Sequence, residues 1–524
     1  MSAPGGGAPT PGGRRAGWRR PVWNVLTNWA AFLVNVAIGL VLSPYVVHRL
    51  GGVEYGVWVL LSSLVGYLGL LDLGARSAVT KYVATLHAER RHGDASLLVS
   101  TALVLFGGLA LVAVGASALL ALAVAHLFTI PAPLVETARR ALVLSGLNVA
   151  VSLVTGVFAG TVVARQRFGA LNAVTIAVGV VRAVAIVLTL QAGGRLVGLA
   201  AVHLGVSLAQ GATTAWLGRR VYPELAVAPR SWTPGHLVRI CRFGMASWLL
   251  HATGFLVNYA DALVIGSFLP VGAITPFAIA ANLTDQVRAV IAGVSQPVTP
   301  MAGALDGERA ESRIPGLLLD GARFATLAIA PIVVTLEIRG TSFIAQWMGA
   351  AYARDAGAVL AVLGPAVWAF AGFQVLTAAM IGLDRHRGLV PIFAGEALAN
   401  LLLSVAWVGP YGIVGVAWGT ALPRLLVSLL VGPLYARRHA GVPVLRYWEW
   451  AVVRPAGAIL PFAAATLALE TWWPASTLVA LGGQILLALP AAAAGAWLLG
   501  LTPAERRLLA RMLAVPRIAW GGAS

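Results

Sequence analysis

Two apolar segments in the middle of the chain carry polar and ionisable residues at helical spacing. Asn258 and Asp261 are three residues apart in the first segment, as are Asp285 and Arg288 in the second. This spacing places both members of each pair on one face of a helix. A guanidinium binds phosphate through two parallel hydrogen bonds, and a carboxylate inside a membrane can carry a proton or cation. We predict that Arg288 and Asn258 bind an anionic substrate, and that Asp261 and Asp285 couple an ion.

Both segments also have a simpler interpretation. Asp285 and Arg288 can neutralise each other one helical turn apart. Asp261 can reach water at the membrane surface or cap a helix end. Neither alternative requires a transported ligand.

Other charged residues lie inside or beside further apolar segments. Arg182 either binds substrate or pairs within its own half of the chain. Arg49, Asp72 and Arg76 lie near segment ends, where they either tie loops to the interface or help to capture phosphate. Asp72 is a further candidate for ion coupling.

An ionisable residue at the centre of a bilayer costs about 2.5–3.5 kcal/mol on insertion scales, so it usually faces a cavity or a partner. Glu396, Asn400 and Arg424 therefore predict a polar contact inside the second half of the chain. Its core is an ion pair between Glu396 and Arg424.

The composition places these residues in a membrane. The 524 residues are 59% hydrophobic and 11% charged, whereas soluble domains are about 25% charged. Runs of about 20 apolar residues, the length of a spanning helix, divide the chain into fourteen predicted spans. One cysteine, Cys241, excludes a disulfide framework and a cysteine-based metal site. No cofactor and no metal are predicted.

The net charge of +18 indicates orientation rather than nucleic-acid binding, because the arginines are scattered through short loops. If the N-terminus is inside, most Lys and Arg residues fall on cytoplasmic segments, as the positive-inside rule requires. We expect a multi-pass plasma membrane protein with both termini in the cytoplasm. The arginines predicted to lie outside are Arg49, Arg139, Arg140, Arg195, Arg339 and Arg354.

The chain contains an internal repeat. FLVNVAIGLVL begins at Phe32 and FLVNYADALVI begins at Phe255, and Asp261 occurs only in the second copy. Later segments echo each other in the same order, so helices 1–6 resemble helices 7–12. Six is even, so the copies are parallel and related by an axis along the membrane normal.

The predicted organisation is a disordered cytoplasmic N-terminus at 1–22, an N-lobe at 23–217, a cytoplasmic linker at 218–242, a C-lobe at 243–435, two further helices at 450–500 and a cytoplasmic tail at 501–524.

Two stretches resemble the Wzx-type polysaccharide flippases of the multidrug, oligosaccharidyl-lipid and polysaccharide (MOP) exporter superfamily. LSPYVVHRLGGVEYGVWVLLSSLVGYLGLLDLGARSAVTKYVA contains LG..EYG and DLG, and TSFIAQWMGAAYARDAG is similar to the outer segment between helices 9 and 10. The resemblance implies an all-α two-lobed bundle that moves a polyprenyl-diphosphate-linked oligosaccharide to the outer leaflet. It also implies a cationic cavity with an arginine in the eighth helix. Membrane lipids, H+ or Na+, and the polysaccharide polymerase machinery are the expected partners.

Three other functions stay open at this point. A multidrug antiporter of the same superfamily is expected to have twelve helices and a more acidic cavity. A lipid II flippase shares the architecture and the phosphate chemistry. A membrane glycosyltransferase or polymerase needs paired carboxylates on a sizeable outer loop; the outer loops here are short, so no catalytic residue is predicted.

Overall fold

The computed structural model describes residues 12–514, without the side chains of 12–33, 35, 168, 229, 246–247, 249–256, 258 and 512–514. The described chain contains helices and no strands. It divides into two compact units, unit 1 (Met1–Phe255) and unit 2 (Leu256–Ser524). The helices are α1 (Gly12–Leu68), α2 (Ala75–Ala88), α3 (His92–Leu127), α4 (Ala132–Ala164), α5 (Phe168–Gln191), α6 (Arg195–Val221), α7 (Pro234–Phe268), α8 (Ile274–Ser295), α9 (Val298–Gly307), α10 (Ile314–Trp347), α11 (Ala350–Gly382), α12 (Val390–Leu426), α13 (Gly432–Ala440), α14 (Val444–Trp448), α15 (Arg454–Trp472), α16 (Leu478–Gly495) and α17 (Pro503–Ala514).

Ten helical segments among the described residues are long and apolar enough to cross a membrane. Two of them, Val36–Ala88 with 53 residues and His386–Ala440 with 55, are long enough for two crossings. Each contains a non-helical glycine, Gly51 in the first and Gly412 in the second. Helices α7 and α8 are not among the ten. The protein is therefore a multi-pass membrane protein, and the number fourteen stays a prediction.

The division between the units falls inside α7, at Phe255. The predicted linker at 218–242 is irregular only over 222–233, because α6 continues to Val221 and α7 begins at Pro234. The predicted lobe boundaries stay predictions.

The segment 222–233 is fastened along the start of α3. Three hydroxyl groups of α3 accept hydrogen bonds from backbone N–H groups of the segment 222–233. These bonds satisfy donors that have no partner in a regular helix. The pairs are Ala226 N to Ser96 Oγ at 3.0 Å, Ala228 N to Ser100 Oγ at 3.0 Å, and Thr233 N to Thr101 Oγ1 at 3.1 Å.

Each unit has its own apolar core. In unit 1 the core lies between α2, α3 and α4 and includes Leu98, Phe106 and Val157. In unit 2 it lies between α8, α10 and α11 and includes Ile329 and Phe373. Arg76 lies on α2 and Arg288 lies on α8, so these two candidate residues belong to helices of the two cores.

The LG..EYG motif marks a sharp turn in α1. Gly51 has a φ of 78°, a conformation in which glycine has no Cβ penalty. Three residues later the buried carboxylate of Glu54 pairs with Arg195 at the start of α6, at 2.7 Å. The motif thus ties this turn to the first turn of α6.

The DLG motif marks a second break. Asp72 ends a 3₁₀ turn, and Leu73 and Gly74 follow with φ values of 48° and 66°. A Cβ on Gly74 would lie 3.1 Å from the backbone nitrogen of Trp248 in α7. Trp248 Nε1 in turn donates to the carbonyl of Leu70 at 2.8 Å. Glycine is required here for its conformation and for the close approach of α7.

Two pairs of turns follow the spacing of the repeat. Arg90 and Arg309 both adopt a positive φ where a short helix ends, and Gln166 and Asp384 do so in the RQRFG and DRHRG turns. The number of residues between Arg90 and Arg309 is nearly the same as the number between Gln166 and Asp384. The turns agree with a repeat, whose architecture stays a prediction.

Helix α10 is longer than the sequence indicated. We expected its span to end at Glu337 and Arg339 to lie in an outer loop, but α10 continues to Trp347. Arg339 is 1% exposed, and its Nε lies 3.1 Å from Glu470 of α15. The expectation that Arg339 lies in a loop is therefore wrong, whereas the side of the membrane on which it lies stays a prediction.

The C-terminal helices are attached to α10 at two levels. Near one end Arg339 pairs with Glu470, and near the other the fully buried Arg323 pairs with Glu505 of α17. Between them Ala330 of α10 packs against Phe462 and Ala488 of α15 and α16. Helices α15–α17 are thus a fixed part of unit 2.

Replacing Arg339 alone should destabilise unit 2. Arg339→Ala leaves the partly buried Glu470 with the Ser342 hydroxyl as its donor but without its charged partner, which costs less than the about 3–5 kcal/mol of a fully buried pair. The double variant Arg339→Met/Glu470→Leu removes both charges and should unfold near the wild-type temperature. Thermal unfolding in detergent measures both. An unchanged single variant would show that the ion pair does not hold α15 in place.

Candidate functional site

A polar array of unit 2 lies within α12, on both sides of Gly412. Residues at i, i+4 spacing before the glycine face residues at the same spacing after it, in antiparallel order. The three pairs are Glu396 with Arg424, Asn400 with Thr420, and Ser404 with Val416. The two parts of α12 therefore form a hairpin with a polar seam.

Asp261 of α7 joins this seam. Its carboxylate is 9% exposed and accepts a hydrogen bond from Thr420 Oγ1, which lies 3.0 Å from both carboxylate oxygens. Asn400 Nδ2 donates to the same Thr420 oxygen at 2.8 Å. Asn400 Oδ1 is buried and has no hydrogen-bond partner among the described residues. A hydrogen-bonded chain thus runs from Asn400 through Thr420 to Asp261.

The predicted ion pair of the second half is confirmed. Arg424 Nε donates to Glu396 Oε1 at 2.9 Å, and both residues are buried. The guanidinium also lies over the ring of Phe370, 4.9 Å from its centroid. Asp261 is within reach of the charges on Arg424, Arg288 and Asp285. The seam and the pair on α8 thus share one electrostatic environment.

Arg288 and Asp285 form an ion pair on α8. The Arg288 side chain is 25% exposed and the Asp285 side chain is 48% exposed. The contact expected from mutual neutralisation is therefore present, and the pair is open on one side. Binding of a phosphate by Arg288 and ion coupling by Asp285 stay predictions.

Asn258 belongs to α7, but its side chain lies outside the described part of the structure. Its predicted contact with the substrate is not tested.

In unit 1 the predicted residues lie on separate helices. Arg182 is half-buried in α5, and its Nε is buried without a hydrogen-bond partner among the described residues. The positive charge of Arg182 acts on His203 of α6, and the His203 ring lies tilted beside Trp58 with 5.3 Å between the ring centroids. No ion pair of Arg182 is present in the described part of unit 1. The interpretation that it pairs within its lobe therefore has no observed partner.

Arg49 lies in α1 just before the turn at Gly51, and Arg76 lies at the start of α2. Arg76 begins α2 and points its Nη2 towards the carbonyl of Ser152, at 3.5 Å. A Cβ on Gly156 would lie 2.6 Å from that nitrogen, so a glycine of α4 makes room for the guanidinium. Arg49 is exposed and lies 5.5 Å from the ring centroid of Tyr45. Substrate contact by either residue, and ion coupling by Asp72 beside Leu73, stay predictions.

Sequence reasoning missed several residues that the tertiary structure brings together. The partners of Asp261, Glu54 and Arg339 lie on other helices, and their identity depends on packing. One signal was present in the sequence: Glu396, Asn400 and Ser404 repeat every four residues, as do Val416, Thr420 and Arg424 beyond Gly412. Two such stripes around a glycine indicate a hairpin with matched pairs. Glu337 was placed at a helix end but lies inside α10 beside Gly364.

No group of three or more His, Cys, Asp or Glu side chains that could hold a metal occurs in the searched part of the chain. The oxygen atoms around Asp261 include only one carboxylate, so this arrangement suits a proton or a monovalent cation better than a transition metal.

No protein-family model matches the sequence. Over 209 residues the chain is 27% identical to the probable multidrug resistance protein NorM of Burkholderia pseudomallei (strain K96243), a match that covers 39% of this chain and 42% of that protein. The protein of the same name from Burkholderia mallei (strain ATCC 23344) has the same identity and coverage. The chain thus matches less than half the length of these curated relatives.

Solved structures define the fold. A lipid II flippase, MurJ, in an inward closed conformation superposes with a TM-score of 0.72 at 12% identity, over 94% of this chain and 100% of that chain. The inward-facing conformation of a multidrug resistance MATE family transporter of the MOP superfamily gives a TM-score of 0.66 at 16% identity, over 78% of this chain and 98% of that chain. The chain has the fold of MOP superfamily transporters. These similar proteins are named as transporters or flippases, in agreement with the prediction of a non-enzyme.

Removing the hydroxyl group at the centre of the polar seam should destabilise unit 2. Thr420→Val deprives Asp261 of a donor and Asn400 of an acceptor, each worth about 1–3 kcal/mol when left unsatisfied. Thr420→Ser keeps the hydroxyl and should behave like the wild type. Thermal unfolding in detergent compares the two variants. Equal stability of Val and Ser at this position would contradict the hydrogen-bonded chain.

Proposed function

We propose that this protein is a flippase that moves a polyprenyl-diphosphate-linked oligosaccharide from the inner to the outer leaflet for cell-surface polysaccharide synthesis. The observation that carries the proposal is the open Arg288–Asp285 pair on α8, next to a buried carboxylate that can take up a cation. The guanidinium of Arg288 suits the anionic substrate, and the carboxylate of Asp261 suits the coupling ion. The fold supplies the frame of a MOP superfamily transporter around them.

Arg288 can exchange its partner without losing its charge. The Asp285 side chain is about half exposed, so it can turn into water when another anion approaches. A diphosphate offers several oxygen atoms to the planar guanidinium, which stays protonated at any physiological pH. Arg182 and Arg76 are the proposed helpers in unit 1, and Arg49 a further contact.

The proposed ion site is Asp261 with its neighbours on α12. A proton would neutralise the carboxylate, whereas Na+ would use the oxygen atoms of Asp261, Thr420 and Asn400. Either ion lowers the cost of holding a carboxylate inside a membrane. The ion therefore favours the conformation in which Asp261 is enclosed, which is the differential binding that drives alternating access.

The size of the matched region supports a lipid-linked substrate over a drug. The MurJ structure covers 94% of this chain and the MATE structure covers 78%. MurJ is named as a lipid II flippase, and lipid II shares the diphosphate chemistry proposed here. The proposed setting is the plasma membrane with both termini in the cytoplasm and a polysaccharide polymerase as a partner.

Multidrug export is the second candidate function, because the curated relatives are named as probable multidrug resistance proteins. An exporter of cationic drugs needs acidic rather than basic residues at its binding site. Arg288 with Asp285 and the unpaired Nε of Arg182 argue for an anionic substrate instead.

Binding of the diphosphate should depend on Arg288 and not on Asp285. In proteoliposomes with a short fluorescent polyprenyl-diphosphate oligosaccharide, Arg288→Ala should lose at least tenfold in rate, the value of one charge-assisted hydrogen bond of about 1.5–3 kcal/mol. Asp285→Asn frees the guanidinium and should preserve substrate binding. Leaflet accessibility of the fluorophore measures the rate.

The outcomes separate the two functions. No transfer of several glycans by the wild type, together with movement of a cationic dye, would overturn the flippase and support drug export. Normal transfer by Arg288→Ala at unchanged stability would exclude Arg288 as the phosphate ligand.

Asp261 should determine the response to the ion gradient. Asp261→Asn keeps the acceptor for Thr420 but cannot bind a proton or balance Na+, so an imposed H+ or Na+ gradient should no longer accelerate transport. The wild type under identical gradients is the control, and Asp285→Asn measured in parallel shows whether Asp285 contributes to coupling. A gradient response that survives in Asp261→Asn would place the coupling site elsewhere.

A further inference from the structure

The C-terminal helix α17 begins immediately after the last apolar segment, Leu478–Gly500. Its start is fixed by a capping box. The backbone nitrogen and hydroxyl of Thr502 donate to Glu505 Oε2 at 2.7 and 2.8 Å, and Glu505 N donates back to Thr502 Oγ1 at 3.4 Å. Reciprocal bonds of this kind satisfy donors that a helix start leaves unpaired.

The orientation of α17 is fixed as well. Glu505 Oε1 accepts a hydrogen bond from the fully buried Arg323 of α10. Arg506 donates to the carbonyls of Leu501 at 3.2 Å and Leu498 at 2.6 Å, at the end of the preceding segment. Burial acts to raise the pKa of Glu505, but the hydrogen bonds from Thr502 and Arg323 outweigh it and lower the pKa. The carboxylate that holds α17 is therefore charged at neutral pH.

Beyond this attachment α17 exposes apolar and basic groups together. Leu508 is 54% exposed and Leu509 is 38% exposed. Arg507 and Arg511 are also exposed, lie one turn apart, and make no ion pair with any described residue. A helix end that exposes leucines next to unpaired arginines is typical of the membrane interface.

We propose that α17 lies in the headgroup layer of the bilayer and binds anionic phospholipids. The helix starts where a membrane span ends, so its leucines are at the depth of the acyl-chain boundary. Arg507 and Arg511 complement the negative headgroups of that leaflet. A second copy of the chain or a soluble partner is a less suitable occupant, because the membrane surface at which α17 starts would stand between it and the leucines.

The attachment of α17 couples this surface to unit 2. The Glu505–Arg323 bond links the headgroup layer to α10, and α10 also carries Arg339 and its bond to α15. Anionic lipids therefore hold one end of α10 at a fixed depth. This role does not depend on which substrate the protein transports.

The test uses the full chain with a fluorescent label on α17. The single native cysteine is removed by Cys241→Ser, and Leu508→Cys receives an environment-sensitive fluorophore. The protein is reconstituted in phosphatidylcholine vesicles with and without phosphatidylglycerol. Quenching by spin-labelled acyl chains reports the depth of the label. The expected result is strong quenching that increases with phosphatidylglycerol and decreases with salt.

The arginines are tested by Arg507→Gln/Arg511→Gln. This variant should weaken the partition of α17 into anionic vesicles by roughly 30-fold, because each arginine near such a surface contributes about a fivefold step. The matched control Arg437→Gln/Arg438→Gln removes two exposed arginines of α13 and should leave the quenching unchanged.

Three results would overturn the proposal. They are a label that stays in water in both kinds of vesicle, quenching that is equal with and without phosphatidylglycerol, and a label shielded only in crosslinked dimers. Elution of every variant as one symmetrical peak in detergent confirms that the comparison is between folded proteins.

Discussion

The cost of a charge inside a membrane determines how the helices of unit 2 are joined. Arg323, Arg339 and Arg424 are buried; the first two meet carboxylates of α17 and α15, and Arg424 meets Glu396 in the other part of α12. Removing one partner from such a pair is far more costly than removing both, so each pair permits one arrangement of its helices. These three bonds fix the hairpin of α12 and the position of α15–α17 on α10.

Glycines complete this frame where the chain must turn. Gly51 and Gly412 interrupt long apolar segments, and Gly74 lets α7 approach the break after Asp72. The glycines of the LG..EYG and DLG motifs therefore allow the backbone to turn, and Glu54 joins two helices through its ion pair with Arg195. Such motifs identify an architecture, and they carry no information about the transported molecule.

The chemistry that distinguishes one transporter from another lies in the groups that the frame leaves accessible. In unit 2 the open Arg288–Asp285 pair is within electrostatic reach of the enclosed Asp261, so a bound anion and a bound cation would each change the environment of the other. In unit 1 Arg182 is close to His203 and lacks an ion-pair partner in the described residues. This distribution of charge supports an anionic, lipid-linked substrate. The amphipathic α17 adds a proposed contact with the bilayer itself.

The sequence by itself determined the membrane class, the all-helical fold, the candidate ionisable residues and the ion pair between Glu396 and Arg424. Apolar length and composition are local properties, and a charge in an apolar run is visible without any structure. Only the tertiary structure decided that Asp261 bonds to Thr420, that Arg339 lies inside α10, and that Glu505 holds α17 to Arg323. The physical reason is that a buried charge must find its partner by packing, and the partners here lie on helices far apart in the chain. Hydropathy marks where such a charge occurs, whereas helix packing decides which residue compensates it.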